Sequence, residues 1–241
     1  MSEPLTFKSK AKTLKVNTMS KKAVCTISTK SYLFKSLALA ESIHQIDSDL
    51  TFIVLMVDEK KEAFQNINYT FGKIEFYDLQ SISNISCAKK IIKKYSNKAD
   101  FLRWSLKPIL LQILLTQKGF EKAIYADNDI FFFHNFDFLW QNLESHAVLL
   151  TPHWYNNNPN KEQFWLEYYH RLGLYNAGFV AVHKQAIQVL EWWAEACAYR
   201  CELGFKRGLF VDQKYLDLFP IIEPTTKILR HQGCNVAYWN I

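Results

Sequence analysis

The chain has 241 residues, 49% of them apolar, which suits one large core and excludes a disordered chain. Its formal charge of +6 favours anionic partners: nucleoside diphosphates, acidic glycans or an anionic membrane surface. No interleaved basic and aromatic motif occurs, which argues against nucleic acid. The five cysteines show no C-x-x-C pair, and no apolar run is long enough for a signal peptide or a membrane span. A soluble, cytoplasmic protein with reduced thiols is therefore predicted.

Residues 1–20 are Lys-rich and polar and are expected to form a mobile arm. "KAVCTIST" reads as a short buried strand, and "SYLFKSLALAESIHQI" follows as a helix with Leu33, Leu37 and Ala40 on one face. "LTFIVLMVD" repeats the buried-strand pattern, "DEKKEAFQN" suits a short helix, and "KIEFYDL" alternates like a third strand. Pro108 suits the first turn of a helix and Gly119 its end, so "PILLQILLTQKG" should pack on the sheet and feed the strand "KAIYAD". Then come strand-like "HAVLLT", a polar loop "HWYNNNPNKEQ", strand-like "AGFVAVH", and a helix from Lys184 ended by Gly204. Strands alternating with helices predict an α/β fold with a mostly parallel central sheet.

Within "KAIYADNDIFFF", Asp127 and Asp129 are charges in an apolar run. They fall at the C-terminal end of a strand, where open α/β sheets bind ligands. A break in the strand at Asn128 would let both carboxylates turn toward one ion. A hard divalent cation, Mg²⁺ or Mn²⁺, takes one or two carboxylates plus substrate phosphate oxygens. The bland alternative is a loop cap, and a bare D-x-D does not choose between them. The letters after Asp129 do not suit an EF-hand loop, and neither a P-loop nor a dinucleotide fingerprint occurs among the seven glycines. The "IFFF" that follows is expected to be a buried strand steadying the carboxylates.

Six segments in order carry a resemblance: "SLKPILLQILL", "IYADNDIFFF", "LLTPHW", "YNAGFVAVHK", "GLFVDQKYLDLFP" and "HQGCNVAYWN". The chain from Ala23 to Ile241 resembles nucleotide-sugar glycosyltransferases of the GT-A fold. The likeness is to bacterial cell-surface glycan enzymes and, more distantly, the glycogenin-like family. The resemblance implies a single Rossmann-like GT-A domain over residues 21–241. Its nucleotide-binding half would run over about 21–133 and its acceptor-side half over about 134–241.

It further implies that Asp127 and Asp129 bind Mn²⁺ or Mg²⁺, with His231 completing the site and Gly233 lying in the same donor loop. Asn176, Ala177 and Gly178 would contact the donor sugar, and Asp212 and Gln213 would lie beside the transferred sugar as catalytic residues. Thr26, Ser28 and Thr29 would hold the nucleoside, and Arg103 and Lys107 would reach donor phosphate or ribose. The lysine and proline that such enzymes carry before the late tryptophan, here Trp239, are Ala237 and Tyr238.

The implied function is metal-dependent transfer of a sugar from a nucleotide diphosphate sugar, UDP-sugar favoured, to a glycan or glycolipid hydroxyl in surface polysaccharide synthesis. The protein would be cytoplasmic, with peripheral contact at the inner face of an anionic membrane. Asp212 is the candidate base for inversion, while the glycogenin-like resemblance argues for retention. Trp154 and Tyr155 are candidates for stacking on an acceptor sugar, with His153 secondary. A zinc site from Cys197, Cys201, His231 and Cys234 is a further possibility with unusual spacing. A sugar-phosphate nucleotidyltransferase is disfavoured by a first turn without glycine, and a silent glycan-binding protein on the same fold stays open.

Overall fold

The computed structural model describes residues 21–240 except 157 and 159, so the arm expected over residues 1–20 lies outside the described residues. The strands are β1 (Lys22–Ser28), β2 (Thr51–Met56), β3 (Ile74–Asp78), β4 (Lys122–Ala126), β5 (Val148–Pro152) and β6 (Tyr175–His183). A two-residue pair, β7 (Leu203–Gly204) and β8 (Leu209–Phe210), precedes β9 (Thr226–Ile228). Seven of them form one sheet in the order β3-β2-β1-β4-β6-β5-β9, while β7 and β8 form a separate ribbon. Only β6 runs against its neighbours β4 and β5; the other pairings in the large sheet are parallel. The expected α/β class and mostly parallel sheet are what the chain adopts.

The helices are α1 (Leu33–His44), α2 (Leu79–Ile82), α3 (Ser86–Tyr95), α4 (Ala99–Ser105), α5 (Lys107–Thr116), α6 (Asp137–Asn142), α7 (Gln163–Leu172), α8 (Ile187–Tyr199) and α9 (Phe219–Ile222). Successive strand residues point to opposite faces, so Ala23 and Cys25 join a core under α3, α4, α5 and α8. Val24 instead joins a second core under α1 and α6. Both faces are covered, which explains why the first strands read as unbroken apolar runs. Helix α5 packs between the sheet and α8 and is buried from Lys107 to Leu115. Pro108 sits in its first turn, where a missing N–H costs nothing. Gly119, with φ of 71°, turns the chain back into β4.

Two expectations need correction. The helix after Lys184 ends at Tyr199, with Arg200 already extended, and Gly204 belongs to the ribbon. The stop comes from distant side chains: Lys94 Nζ donates to the carbonyls of Ala198 (3.0 Å) and Tyr199, and Tyr215 Oη donates to that of Arg200. Lysine at a helix C-terminus also opposes the helix dipole. The second correction concerns Ile130–Phe133, which is not a strand. A turn closed by Ile130 N–H to the Asp127 carbonyl (3.0 Å) ends the pairing. Beyond it Ile130 and Phe132 pack inward, while Phe131 and Phe133 are 47% and 79% exposed.

Candidate active site

The C-terminal ends of β1, β4, β5 and β9 and the N-terminal end of the antiparallel β6 lie along one edge of the sheet. Asp127 is the first residue beyond β4, and its N–H donates to the Gly178 carbonyl at 2.7 Å. The turn that follows carries Asp127, half-buried, and Asp129, exposed. Between them Asn128 is buried and donates Nδ2–H to Ser28 Oγ (3.3 Å), which also accepts from Ser36 Oγ (2.9 Å). Ser28 thus ties β1, α1 and the aspartate turn together.

This placement narrows one expectation. Thr26 and Ser28 are wholly buried, so of the three hydroxyls proposed for the nucleoside only Thr29, bonded to Ser31 at 2.9 Å, lies near the surface. Arg103 pairs with Asp100 at 2.5 Å and lies over the Tyr32 ring (5.0 Å), just beyond the end of β1.

Lys107 is the centre of the edge. It is 2% exposed, and its Nζ lies 3.2 Å from Asp212 Oδ2, 3.4 Å from Asp127 Oδ1 and 3.0 Å from the Ala177 carbonyl, to which it donates. Burial pulls its ammonium down, but Asp127 and Asp212 outweigh that and hold it above its ordinary value. Burial pushes the Asp212 carboxyl up to about 6 against the pull of Lys107, and Asp127 adds to the rise. Asp212 Oδ2 is held to the lysine chiefly as an ion pair. Tyr125 donates its hydroxyl to Asp127 Oδ1 at 2.6 Å. Burial, and then that carboxylate, push the hydroxyl well above its ordinary range, so it stays a donor.

Gln213 bridges two segments, accepting from Ala177 N–H (3.2 Å) and donating to the Leu172 carbonyl (3.0 Å). Asp212 and Gln213, expected beside the transferred sugar, are both buried and support the Asn176–Gly178 segment from beneath. Asn176 Oδ1 accepts from Gly178 N–H at 2.8 Å. A Cβ at Gly178 would lie 3.0 Å from Asp127 Oδ2 and 2.9 Å from Asn176 Oδ1, so only glycine leaves that carboxylate oxygen uncovered. Asp127 Oδ2 has no hydrogen-bond or ion-pair partner among the described residues.

The C-terminal stretch packs against the ends of β5 and β6. Asn235, held at φ of 64°, accepts from Asn176 Nδ2 (2.6 Å) and donates to the Pro152 carbonyl (2.9 Å). Trp239 Nε1 and Asn240 Nδ2 both donate to the His153 carbonyl (2.7 and 3.1 Å). His153 is buried and stacks on Tyr155 at 4.7 Å, and burial pulls its imidazole down to about 4. Tyr155 is buried under Trp165. The expectation that Tyr155 offers a bare stacking face is therefore corrected, because Trp165 already covers it. Trp154 is partly exposed, in a left-handed backbone conformation with φ of 57°.

Tyr125, Asn128 and Asn235 escaped sequence reasoning. A tyrosine two residues before the first aspartate was the available signal for Tyr125, since i and i+2 share a strand face.

His231 stacks on Phe138 at 5.0 Å, and its Nδ1 accepts from Gly233 N–H at 3.1 Å. Among the described residues no three His, Cys, Asp or Glu side chains gather as a metal-binding group. His231 is thus not gathered with both aspartates into such a group. For zinc, Cys197 and Cys201 sit in the core under α8, and Cys234 packs against the other core, so the sheet separates them. Two surface concavities, of about 520 and 680 Å³, lie elsewhere. One is lined by Phe64, Tyr69 and Phe76 beside β3, the other by Cys87, Gln112 and Glu195 between α3 and α8. The convergent charges are at the sheet edge, and the candidate site is placed there.

Comparison with known proteins gives the fold and the family. The chain is 29% identical over 227 residues to the uncharacterized protein YfnF of Bacillus subtilis (strain 168), covering 90% of this chain and 72% of the relative. It is 27% identical to YfnD of the same organism, covering 90% and 68%. The apo form of the glycosyltransferase GlyE from Streptococcus pneumoniae TIGR4 superposes with a TM-score of 0.54 at 13% identity, over 88% of this chain and 45% of that one. The chain thus spans less than half of the GlyE structure. Mouse xyloside xylosyltransferase 1 in its apo form gives 0.53 at 14% identity, over 86% and 84%. At these identities the two structures establish the shared fold. Residues 23–199 match the model of glycosyl transferase family 8, and the chain belongs to that family of glycosyltransferases.

Proposed function

We propose that the protein transfers a sugar from a nucleotide diphosphate sugar, with UDP favoured, to a hydroxyl of a glycan or glycolipid, using Mn²⁺ or Mg²⁺. The observation that carries this reading is the uncovered Oδ2 of Asp127, set at a strand end beside Gly178 with Asp129 two residues on in the same turn. These residues fit a hard divalent cation: two carboxylates supply oxygen, and a donor diphosphate would supply more. When bound, the cation would neutralise charge on the departing nucleoside diphosphate. His231 could join only by leaving Phe138.

The chain's own residues do the rest. Lys107, charged and fixed by three partners, holds the Ala177 carbonyl and so the backbone on which a donor sugar would lie. Gln213 and Asp212 act through that segment and through Lys107. Thr29 and Arg103 border the nucleoside end. On the acceptor side, the partly exposed Trp154 is the residue best placed to meet a sugar. The exposed lysines of α3, Lys89, Lys90 and Lys93, would favour peripheral contact with an anionic cytoplasmic membrane surface in polysaccharide synthesis.

The test is calorimetric titration of UDP and GDP with and without Mn²⁺, followed by a screen for metal-dependent hydrolysis of UDP-, GDP- and CMP-sugars. Binding that requires Mn²⁺ and disappears in Asp129→Ala is expected. Binding that ignores both the metal and the substitution would sink the reading.

A further inference from the structure

Asp127 has one oxygen to offer. Its Oδ1 accepts the Tyr125 hydroxyl at 2.6 Å and lies 3.4 Å from Lys107 Nζ. Its Oδ2 faces the space left by the missing side chain of Gly178. We infer that Tyr125 is a positioning residue for the donor site: its hydroxyl keeps Oδ1 inside the fold, so that Asp127 presents Oδ2 alone to the donor's cation and diphosphate. This rests on the donor-site reading above.

Strand geometry and two further contacts make the arrangement rigid. Tyr125 lies in β4, 1% exposed, two residues before Asp127, so both side chains leave the same strand face. Lys107 Nζ lies over its ring, 5.0 Å from the centroid, so one ammonium touches both the ring and the carboxylate that the ring's hydroxyl binds. The Asp127 backbone is tied to Gly178 by its N–H. With backbone and Oδ1 both fixed, the carboxylate cannot rotate to offer two oxygens, and a ligand finds Oδ2 already in place.

If the hydroxyl were only a satisfied core group, its removal would alter stability and leave ligand affinity alone. Tyr125→Phe keeps the ring and removes the hydrogen bond. The full chain and this variant would be titrated with UDP in the presence and absence of Mn²⁺, and their ligand-free thermal transitions compared. The expected result is a folded variant whose Kd for UDP with Mn²⁺ rises about tenfold, the size of one hydrogen bond to a charged group. Its binding of UDP without Mn²⁺ should be unchanged. A folded Tyr125→Phe protein that binds UDP and Mn²⁺ as tightly as the parent overturns the inference.

Should Tyr125→Phe fail to fold, Gly178→Ala decides, because its methyl group would crowd Oδ2. A raised Kd supports the assignment of Oδ2, and an unchanged Kd overturns it. A parent protein with no Mn²⁺-dependent nucleotide binding overturns the donor-site reading itself, and the Tyr125 role with it.

Discussion

The β1–β4 half and the half beyond β5 are built differently. In the first, helix α5 is buried on every side and the strands are sealed on both faces, so each residue's neighbours follow from its place in a repeating element. In the second, α7 carries Phe164, Trp165, Tyr168 and Tyr169 yet buries no residue fully, and the C-terminal stretch hangs on the carbonyls of His153 and Pro152. The difference teaches where rigidity is made. Around α5 it comes from apolar packing, which β6 and α8 share, while α7 and the C-terminal stretch depend on a few hydrogen bonds onto strand ends; Lys107 of α5 adds a charge link to Asp212.

Breaking that joint should have the largest effect. Lys107→Met leaves the Asp212 carboxylate buried without a counter-charge, and a loss of about 4 kcal/mol is expected in urea denaturation. A smaller effect would mean that the two halves are held by packing alone. Next, Leu110→Ala, inside α5, should cost about 3 kcal/mol. Phe164→Ala, on the half-exposed α7, should cost less than about 0.5 kcal/mol by the same measurement. Equal losses would erase the contrast.

A further effect is one of pH. His153 has its folded-state pKa lowered from 6.5 to about 4 by burial. The neutral ring is therefore favoured by folding, and the stability it brings is present above pH 6.5 and lost as pH falls towards 4. Between pH 7 and 5.5 the parent should lose about 1 kcal/mol relative to His153→Gln, read from denaturation midpoints at each pH.

Legibility in the sequence follows the same division. Strands β1 to β4 and helix α5 were predictable because apolar runs, Pro108 and Gly119 are local signals. The aspartate turn was legible too, since charge in an apolar run needs a reason. What escaped depends on residues far apart in the chain. The end of α8 is set by Lys94 and Tyr215, more than a turn of any window away, and Gly204 misled because glycine after a helix is the usual local cue. The "IFFF" run looked like a strand, but the turn at Asp127 had already ended pairing, and no strand among the described residues pairs with it. The burial of Thr26, Ser28 and Asp212 comes from elements packed over them, which hydroxyl and carboxyl letters cannot announce. His231 kept its place after β9 but stacks on Phe138.

The Lys107 cluster also has a meaning for approach from solution. Two carboxylates, Asp127 and Asp212, flank one ammonium and Asp129 follows in the same turn, so this edge of a chain with formal charge +6 carries more acid than base. A diphosphate drawn in by the outer lysines would meet repulsion at the last few ångströms unless a cation had arrived first. The protein's general charge and its local charge thus oppose each other, which favours metal before nucleotide or the two together. Burial pushes the Asp212 carboxyl up to about 6, so that ordering should soften as pH falls towards that value.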